Sequence, residues 1–287
     1  MNKGVCIVTG ASSGLGWSLA TILCEKGYKV YGIARRKNLL DKLAKQSKEM
    51  PGEFISFSGD LSKAEFREKI ISHVIKKNGK MDYLFNNAGF GRAIKLEKQD
   101  PAEISNMYEV NVAAYIHLAK LALKHMKKAN SGRLIHTGSV VAFTPLPYFT
   151  VYNSTKSAVY GFNRSLRYEL KGSKVTSTVV LPARMNTGFA NVAFDCYEKK
   201  GRDMCVKEFN KIAGSPYVVA KRIVMNMDKG MEVITPTFKA AMWYTARYFG
   251  FLVDFVMKYF LGPKEMKHLV ENEIKEEYKQ KARSIKK

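Results

Sequence analysis

Seven short runs rich in β-branched and aromatic residues punctuate this chain: GVCIVT, YKVYGIA, EFISFS, MDYLFN, GRLIHTG, KVTSTVVL and MEVIT. Helix-length segments lie between them at 15–26, 38–48, 62–77, 101–127, 151–171 and 216–228. A chain that alternates in this way crosses over from strand to strand, so its strands pair in parallel and its helices cover the sheet. The runs are nearly continuous in apolar residues, as strands covered on both faces must be. The pattern predicts an α/β fold, a doubly wound parallel sheet of about seven strands flanked by helices. With 287 residues, 46% of them apolar, and no internal repeat or low-complexity linker, residues 1–235 read as one domain with a large core.

The first turn carries the first chemical signal. TGASSGLG runs straight from a strand into a helical pattern, with Ser12, Ser13 and Leu15 set among Gly10, Gly14 and Gly16. Glycines there let the backbone turn tightly and approach a ligand, and the free N–H groups of a helix start attract a phosphate. The spacing is G-x-x-x-G-x-G rather than the commoner G-x-G-x-x-G, and its strand–turn–helix context predicts a dinucleotide site. The end of the second strand then chooses the cofactor. GIARRKN offers Arg35 and Arg36 and no acid before Asp41, which favours the 2′-phosphate of NADP(H) over the free ribose hydroxyl of NAD(H). The alternative is that both arginines are solvated loop charges.

The stretch VYNSTKSAVYGF places Tyr152 four positions before Lys156. A phenol loses its proton near pH 10, so it acts near neutrality only with a cation held close, and helical i, i+4 spacing supplies one. Alone the pair also suits a plain helix surface. With TGASSGLG, NNAG at 86–89, VNV around Asn111, and Ser139 lying 13 residues before Tyr152, the chain resembles the short-chain dehydrogenase/reductase family over roughly residues 4–235. That resemblance implies a Rossmann-type fold and an NAD(P)-dependent enzyme interconverting CH–OH and carbonyl groups. It implies Tyr152 as general acid/base, Lys156 lowering the tyrosine pKa and holding the nicotinamide ribose, Ser139 binding the substrate oxygen, and Asn111 holding a water that links Lys156 to solvent. It further implies that Asp60, with Leu61, contacts the adenine, that Asn87, Ala88 and Gly89 line the cofactor cleft, and that Pro182 and Thr187 lie at the nicotinamide. For Asp60 and Asn111 the residues alone also allow a helix N-cap and a buried helix polar group. Two departures stand out: Ala183 follows Pro182 where glycine is usual, and Gly138 precedes the catalytic serine where serine is common, which would open that wall of the pocket.

Specificity is expected in the variable loops at 144–150 and 188–215, where Phe189, Val192, Phe194 and Tyr197 give an apolar lining, with Phe189 and Phe194 the substrate-contacting candidates beside Ser139 and Tyr152. Such a lining suits a lipophilic ketone or alcohol: a steroid, bile acid, retinoid or long-chain 3-oxo lipid. A small polar carbonyl such as a sugar, or a non-catalytic NADP(H)-binding sensor, are the alternatives. The balance of 48 Lys and Arg against 25 Asp and Glu, a formal +23, favours anionic partners. No nucleic-acid module or zinc-ligand spacing accompanies it in the first 235 residues, so nucleic acid and metal are not expected.

Residues 236–287 read as a helical C-terminal extension. Within it, 238–261 reads as one amphipathic helix, with Arg247, Gly250, Asp254 and Lys258 on a narrow stripe. Its charges argue against a membrane span, and a substrate cap, a dimer contact or peripheral docking on an anionic membrane remain open. The last 24 residues read as an exposed, frayed helix. Four scattered cysteines and an N-terminal apolar run, VCIV, too short for a signal peptide lead to the expectation of a cytoplasmic chain. Segments 101–127 and 151–171 resemble those that pair subunits in the family, which implies a homodimer or homotetramer.

Overall fold

The computed structural model describes residues 3–256. Its seven strands are β1 Val5–Thr9, β2 Lys29–Ala34, β3 Glu53–Ser58, β4 Tyr83–Asn86, β5 Gly132–Thr137, β6 Val175–Val180 and β7 Val233–Ile234. They form one sheet in the order β3-β2-β1-β4-β5-β6-β7, every neighbouring pair parallel. The strand order reverses between β1 and β4, and such a reversal leaves a crevice beyond the carboxyl ends of the strands.

Side chains alternate across a strand, so each strand feeds two cores. Cys6 and Val8 of β1 pack on one face with Leu19 and Leu23 of α1 (Gly14–Glu25), Leu40 of α2 (Lys37–Gln46) and Ile223 of α9 (Pro216–Asn226). Val5 and Ile7 pack on the other with Ile70 of α3 (Ala64–Asn78), Leu118 of α5 (Ala114–Lys128) and Leu166 of α6 (Thr150–Glu169). All four cysteines are buried and none is in a disulfide.

Three segments depart from the sequence reading. The expected helix over 101–127 is α4 (Pro101–Tyr108), a π-turn (Glu109–Ala113) and then α5. Asp100 starts α4 by accepting the Ala102 N–H at 2.9 Å, with Pro101 pre-set for the first turn. The supposed loop 188–215 holds two helices, α7 (Phe189–Ala193) and α8 (Lys199–Lys211), which fold over the aromatic residues between β6 and β7. The single helix expected over 238–261 is broken into α10 (Phe238–Ala246) and α11 (Gly250–Val256). Arg247 swings over the Tyr244 and Tyr248 rings at 3.5 and 4.4 Å, and Gly250 is a costly residue in a helix interior. The stripe from Arg247 to Gly250 is therefore not continuous; Lys258 and the final 24 residues lie outside the described residues.

Candidate active site

A cavity of about 1330 Å³ opens beyond the carboxyl ends of the strands, running from Gly10, Arg36 and Asp60 past Asn87–Gly89 to Ser139, Tyr152 and Lys156. Its first wall is the turn after β1. Gly10 and Gly14 have φ of +72° and +56°, a region that favours glycine, and a Cβ on them would stand 2.9 Å from the Ala88 Cα and the Thr187 Cγ2. Ser12, Ser13 and Leu15 line the cavity with them. Gly16 is not a lining residue; a Cβ there would reach within 2.3 Å of the Gly10 carbonyl oxygen, so its bareness lets α1 start close under the turn. Thr9 ties this turn to the next. Its hydroxyl accepts the N–H groups of Asn87 and Ala88 at 2.8 and 2.9 Å and donates to the Phe85 carbonyl at 3.2 Å, while the Asn87 amide donates to the Thr9 carbonyl at 2.9 Å.

At the end of β2, Arg36 folds back across the turn. Its guanidinium donates to the Ser12 hydroxyl at 2.9 Å and to the Ser13 hydroxyl at 2.7 Å, a cation set at the phosphate wall. Arg35 lines the same end, and Asp41 turns away to pair with Lys37 at 2.7 Å. Asp60 lines the cavity with Leu61 and accepts the Ser62 N–H at 3.0 Å. That bond holds its carboxyl below the ordinary range, with help from the charge of Arg35.

The opposite end is built on α6, which sets Tyr152 and Lys156 one turn apart. The Lys156 Nζ is buried, donates to the Thr137 carbonyl at 2.8 Å and lies 5.6 Å from the centre of the Tyr152 ring. Burial lowers its pKa to about 7. Burial also raises the Tyr152 phenol above its ordinary value, opposed by a hydrogen bond with Ser139. Burial thus disfavours the charged form of each group. The hydroxyl of Ser139 also accepts the Val141 N–H at 3.3 Å. Asn111 is fully buried in the π-turn, behind the cavity wall rather than on it. Its amide clamps both backbone groups of Phe90, accepting the N–H at 3.1 Å and donating to the carbonyl at 2.8 Å, and donates to Thr155 at 3.1 Å.

Pro182, Thr187 and Phe189 also line the cavity. Phe194 does not: it is 4% exposed and its ring packs on Phe149 and Phe209, supporting the lining from behind. Tyr197 is likewise interior, while Val192 reaches the cavity. Gly138 does not open the wall. A Cβ there would meet Val179 Cγ2 at 2.9 Å and Leu181 Cδ2 at 3.0 Å, so sheet side chains already fill the space. Thr9 and Thr137 carry no local sequence signal, since their hydroxyl bonds run to residues far along the chain.

The cavity exceeds the about 300–1,000 Å³ of a site for one small molecule. With bare glycine backbone and Arg36 at one end and a Ser–Tyr–Lys set at the other, it fits a dinucleotide together with a second reactant. That combination defines a dinucleotide-dependent oxidoreductase.

Comparison with known proteins agrees. Residues 4–196 match the short chain dehydrogenase family profile. The chain is 28% identical over 265 residues to 11-beta-hydroxysteroid dehydrogenase-like 2 of Arabidopsis thaliana, covering 89% of this chain and 80% of that protein. It is 30% identical over 191 residues to a 3-ketodihydrosphingosine reductase of Bacteroides thetaiotaomicron, covering 67% of each. Among solved structures, an alcohol dehydrogenase of Thermococcus sibiricus complexed with 5-hydroxy-NADP superposes with a TM-score of 0.70 at 27% identity, covering 81% of this chain and 95% of that one. The chain belongs to the short chain dehydrogenase family. It is an NAD(P)-dependent oxidoreductase acting on CH–OH groups.

Proposed function

We propose that this enzyme is an NADPH-dependent reductase that interconverts a ketone and a secondary alcohol on a lipophilic substrate. The observation that carries the reading is the aromatic wall at Tyr152, whose ring lies 5.1 Å from Phe189 and 6.0 Å from Phe149. A carbonyl brought to the Tyr152 hydroxyl is thereby flanked by apolar surface. The names of the relatives, an 11-beta-hydroxysteroid dehydrogenase-like protein and a 3-ketodihydrosphingosine reductase, support a lipophilic carbonyl.

In this reading Arg35 and Arg36 hold the 2′-phosphate, with Ser12 and Ser13 orienting Arg36. The turn from Gly10 to Gly16 receives the pyrophosphate, Asp60 and Leu61 the adenine, and Asn87, Ala88 and Gly89 the central ribose region, with Pro182 and Thr187 at the nicotinamide. The bound nicotinamide supplies or accepts hydride. Ser139 donates to the substrate oxygen and stabilises the charge that develops there. Tyr152, kept protonated by its surroundings, delivers its proton to that oxygen during reduction. Lys156 holds the ribose and, once charged, makes the phenolate accessible in the oxidative direction. Asn111 fixes the Phe90 backbone and positions the Lys156 side of the site.

The experiment is NADPH and NADH oxidation across steroid, bile-acid, 3-oxoacyl and sugar carbonyls, with Tyr152→Phe and Arg36→Ala alongside. The expected result is turnover of a lipophilic ketone with NADPH, loss of at least a hundredfold in Tyr152→Phe with cofactor binding kept, and a smaller NADPH-over-NADH preference in Arg36→Ala. Turnover of sugars alone, or full activity in Tyr152→Phe, would overturn the reading.

The same reading extends to location and assembly. Among the described residues no helix is long and apolar enough to cross a membrane. Phe238, Phe251 and Tyr248 are 82%, 76% and 71% exposed on or between α10 and α11, on a chain of formal charge +23. We assign this surface to peripheral contact with an anionic membrane from the cytoplasmic side, beside the cavity-lining Lys239 and Trp243. Co-sedimentation with anionic vesicles that is unchanged in a Phe238→Ser/Tyr248→Ser/Phe251→Ser variant would refute it. Pairing of α4–α5 and α6 with a second copy, giving a dimer or tetramer, is the matching proposal for assembly, read by light scattering.

A further inference from the structure

Lys156 is a buried amine whose neighbours carry no compensating charge. Burial is the cause of its lowered pKa, and the carboxylates that line the cavity are engaged elsewhere: Asp60 with the Ser62 N–H, Asp100 with the Ala102 N–H and Glu103 with Arg92 at 2.9 Å. The groups packed round the amine come from four elements. From β5 come the Thr137 carbonyl, which accepts its hydrogen bond at 2.8 Å, and His136 one residue earlier. From the π-turn comes Asn111: a Cβ placed on Gly89 would lie 3.0 Å from the Asn111 Oδ1 and 3.7 Å from the Lys156 Nζ. From α6 comes Tyr152 and from α5 Tyr115, their ring centres 5.6 and 5.7 Å from Nζ. Burial raises both phenols and lowers the imidazole to about 3, so all three are uncharged at neutral pH.

Tyr115 is the member of this group that the mechanism leaves unused. It is the second residue of α5, immediately after the π-turn, and it is fully buried. The Asn86 amide donates to its backbone carbonyl at 3.0 Å and His136 stacks on its ring at 6.2 Å, which together fix the ring. No described residue hydrogen-bonds its hydroxyl, so what the side chain offers Lys156 is the face of that ring. An aromatic face within about 6 Å attracts a cation, most strongly where water is excluded. Unlike a carboxylate, it does so without claiming a directed N–H. An ammonium has three donors, and with one given to Thr137 the others remain for the ribose hydroxyls of the cofactor.

We propose that Tyr115 is a positioning residue of this active site, its ring and that of Tyr152 forming a two-sided aromatic cradle that keeps the Lys156 ammonium charged and in place. This rests on the ribose-holding role given to Lys156 above and adds a residue to it.

The test is a carbon-13 NMR titration of the full-length protein labelled at the lysine ε-carbons, the Lys156 resonance being the one lost in Lys156→Met. Losing the ring face disfavours only the charged amine, so the midpoint should fall by about 0.5–1.5 pH units in Tyr115→Leu. It should stay within about 0.2 unit in Tyr115→Phe, which keeps the ring. Placing 3,4,5-trifluorophenylalanine at position 115 drains the ring face with little change of shape. It should give at least about half the Tyr115→Leu shift, and it is the readout if Tyr115→Leu does not fold. NADPH affinity, measured by fluorescence, should fall about 3–30-fold in Tyr115→Leu at about pH 8.5 and by no more than about twofold at about pH 5.5, where the amine is largely charged in both proteins.

An unmoved midpoint in Tyr115→Leu and in the fluorinated variant overturns the proposal, since lost packing alone would lower stability without moving it. A fall of the same size in Tyr115→Phe also overturns it, by assigning the effect to the hydroxyl. A midpoint that moves as expected while Lys156→Met binds NADPH as tightly as wild type upholds the aromatic cradle and sinks the ribose-holding role of Lys156 alone.

Discussion

Acid should destabilise this fold through one ring in its centre. His136 lies on β5 with no exposure, stacked against Tyr115 at 6.2 Å and met by the edge of Phe162 at 5.3 Å. Its Nδ1 stands 3.1 Å from the Asn86 amide nitrogen, and that same nitrogen donates to the Tyr115 carbonyl at 3.0 Å. The carbonyl fixes the amide orientation, so Nδ1 accepts and the proton belongs on Nε2. Protonating Nδ1 would set two donors face to face in a buried site.

Burial accordingly lowers the His136 pKa from 6.5 to about 3. Below pH 6.5 the unfolded chain binds a proton that the folded chain refuses, so stability present above that pH is lost progressively as the pH falls toward 3. At about 1.36 kcal/mol per pKa unit the loss is roughly 2 kcal/mol at pH near 5, and approaches roughly 5 kcal/mol at the acid limit. For a chain of this size 2 kcal/mol is about 4–8 °C in Tm. Carboxylates lose stability in acid as well, so the assay is a double difference. The fall in Tm between about pH 7.5 and 5 is compared, at fixed protein concentration, in wild type and in His136→Gln, which keeps an acceptor for Asn86. The fall should be about 4–8 °C smaller in the variant. Equal falls would refute the reasoning, and so would an NMR titration of the His136 ring with a midpoint near 6, a readout that survives if the variant folds poorly.

Three further outcomes follow from the same geometry. Thr9→Val removes the acceptor shared by the Asn87 and Ala88 N–H groups and should cost about 2–4 kcal/mol in chemical denaturation, with weakened cofactor binding; a change under about 1 kcal/mol would mean that water replaces the hydroxyl. Gly91→Ala would put a Cβ 2.8 Å from the Phe189 ring and 2.9 Å from the Tyr152 ring. It should lower kcat by roughly 10–100-fold through misplacement of the phenol while NADPH affinity, measured by fluorescence, stays within twofold. Gly161 sits in the α6 interior with open space where a Cβ would go. Gly161→Ala should therefore raise stability by about 0.5–1 kcal/mol in urea melts, and a loss instead would reveal a subunit surface pressed against that position.

The sheet was legible because each strand announces itself locally: VCIVT or VTSTVV can be buried on both faces and little else can. Tyr152 and Lys156 were legible for a related reason, since a helix turns i, i+4 in sequence into neighbours in space. Thr9 was not, because its partners stand 76 to 79 residues away. Phe194 looked like lining and serves as backing, since an aromatic residue near a pocket carries no mark of which side of the wall it faces. The helix over Lys199–Lys211 was hidden by a sequence so polar that it reads as loop, KKGRDMCVKEFNK. Gly138 shows the opposite error, in which a missing side chain suggests a void although distant Leu181 and Val179 have filled it.

The π-turn at Glu109–Ala113 separates two jobs within one continuous stretch of helix. One extra residue in a turn rotates everything downstream by roughly 100° about the axis. On one side of it, α4 faces α6 and offers Ala102, Glu103 and Asn106 to the cavity; on the other, α5 faces α3 and β5 in the interior. In a regular helix those two faces would be locked in phase, and any drift in the segment that borders the ligand would drag the core packing with it. Here the wider turn acts as a phase break, with Asn111 pinning it to the Phe90 backbone. The ligand-facing half thus takes its angular phase independently of the inward half.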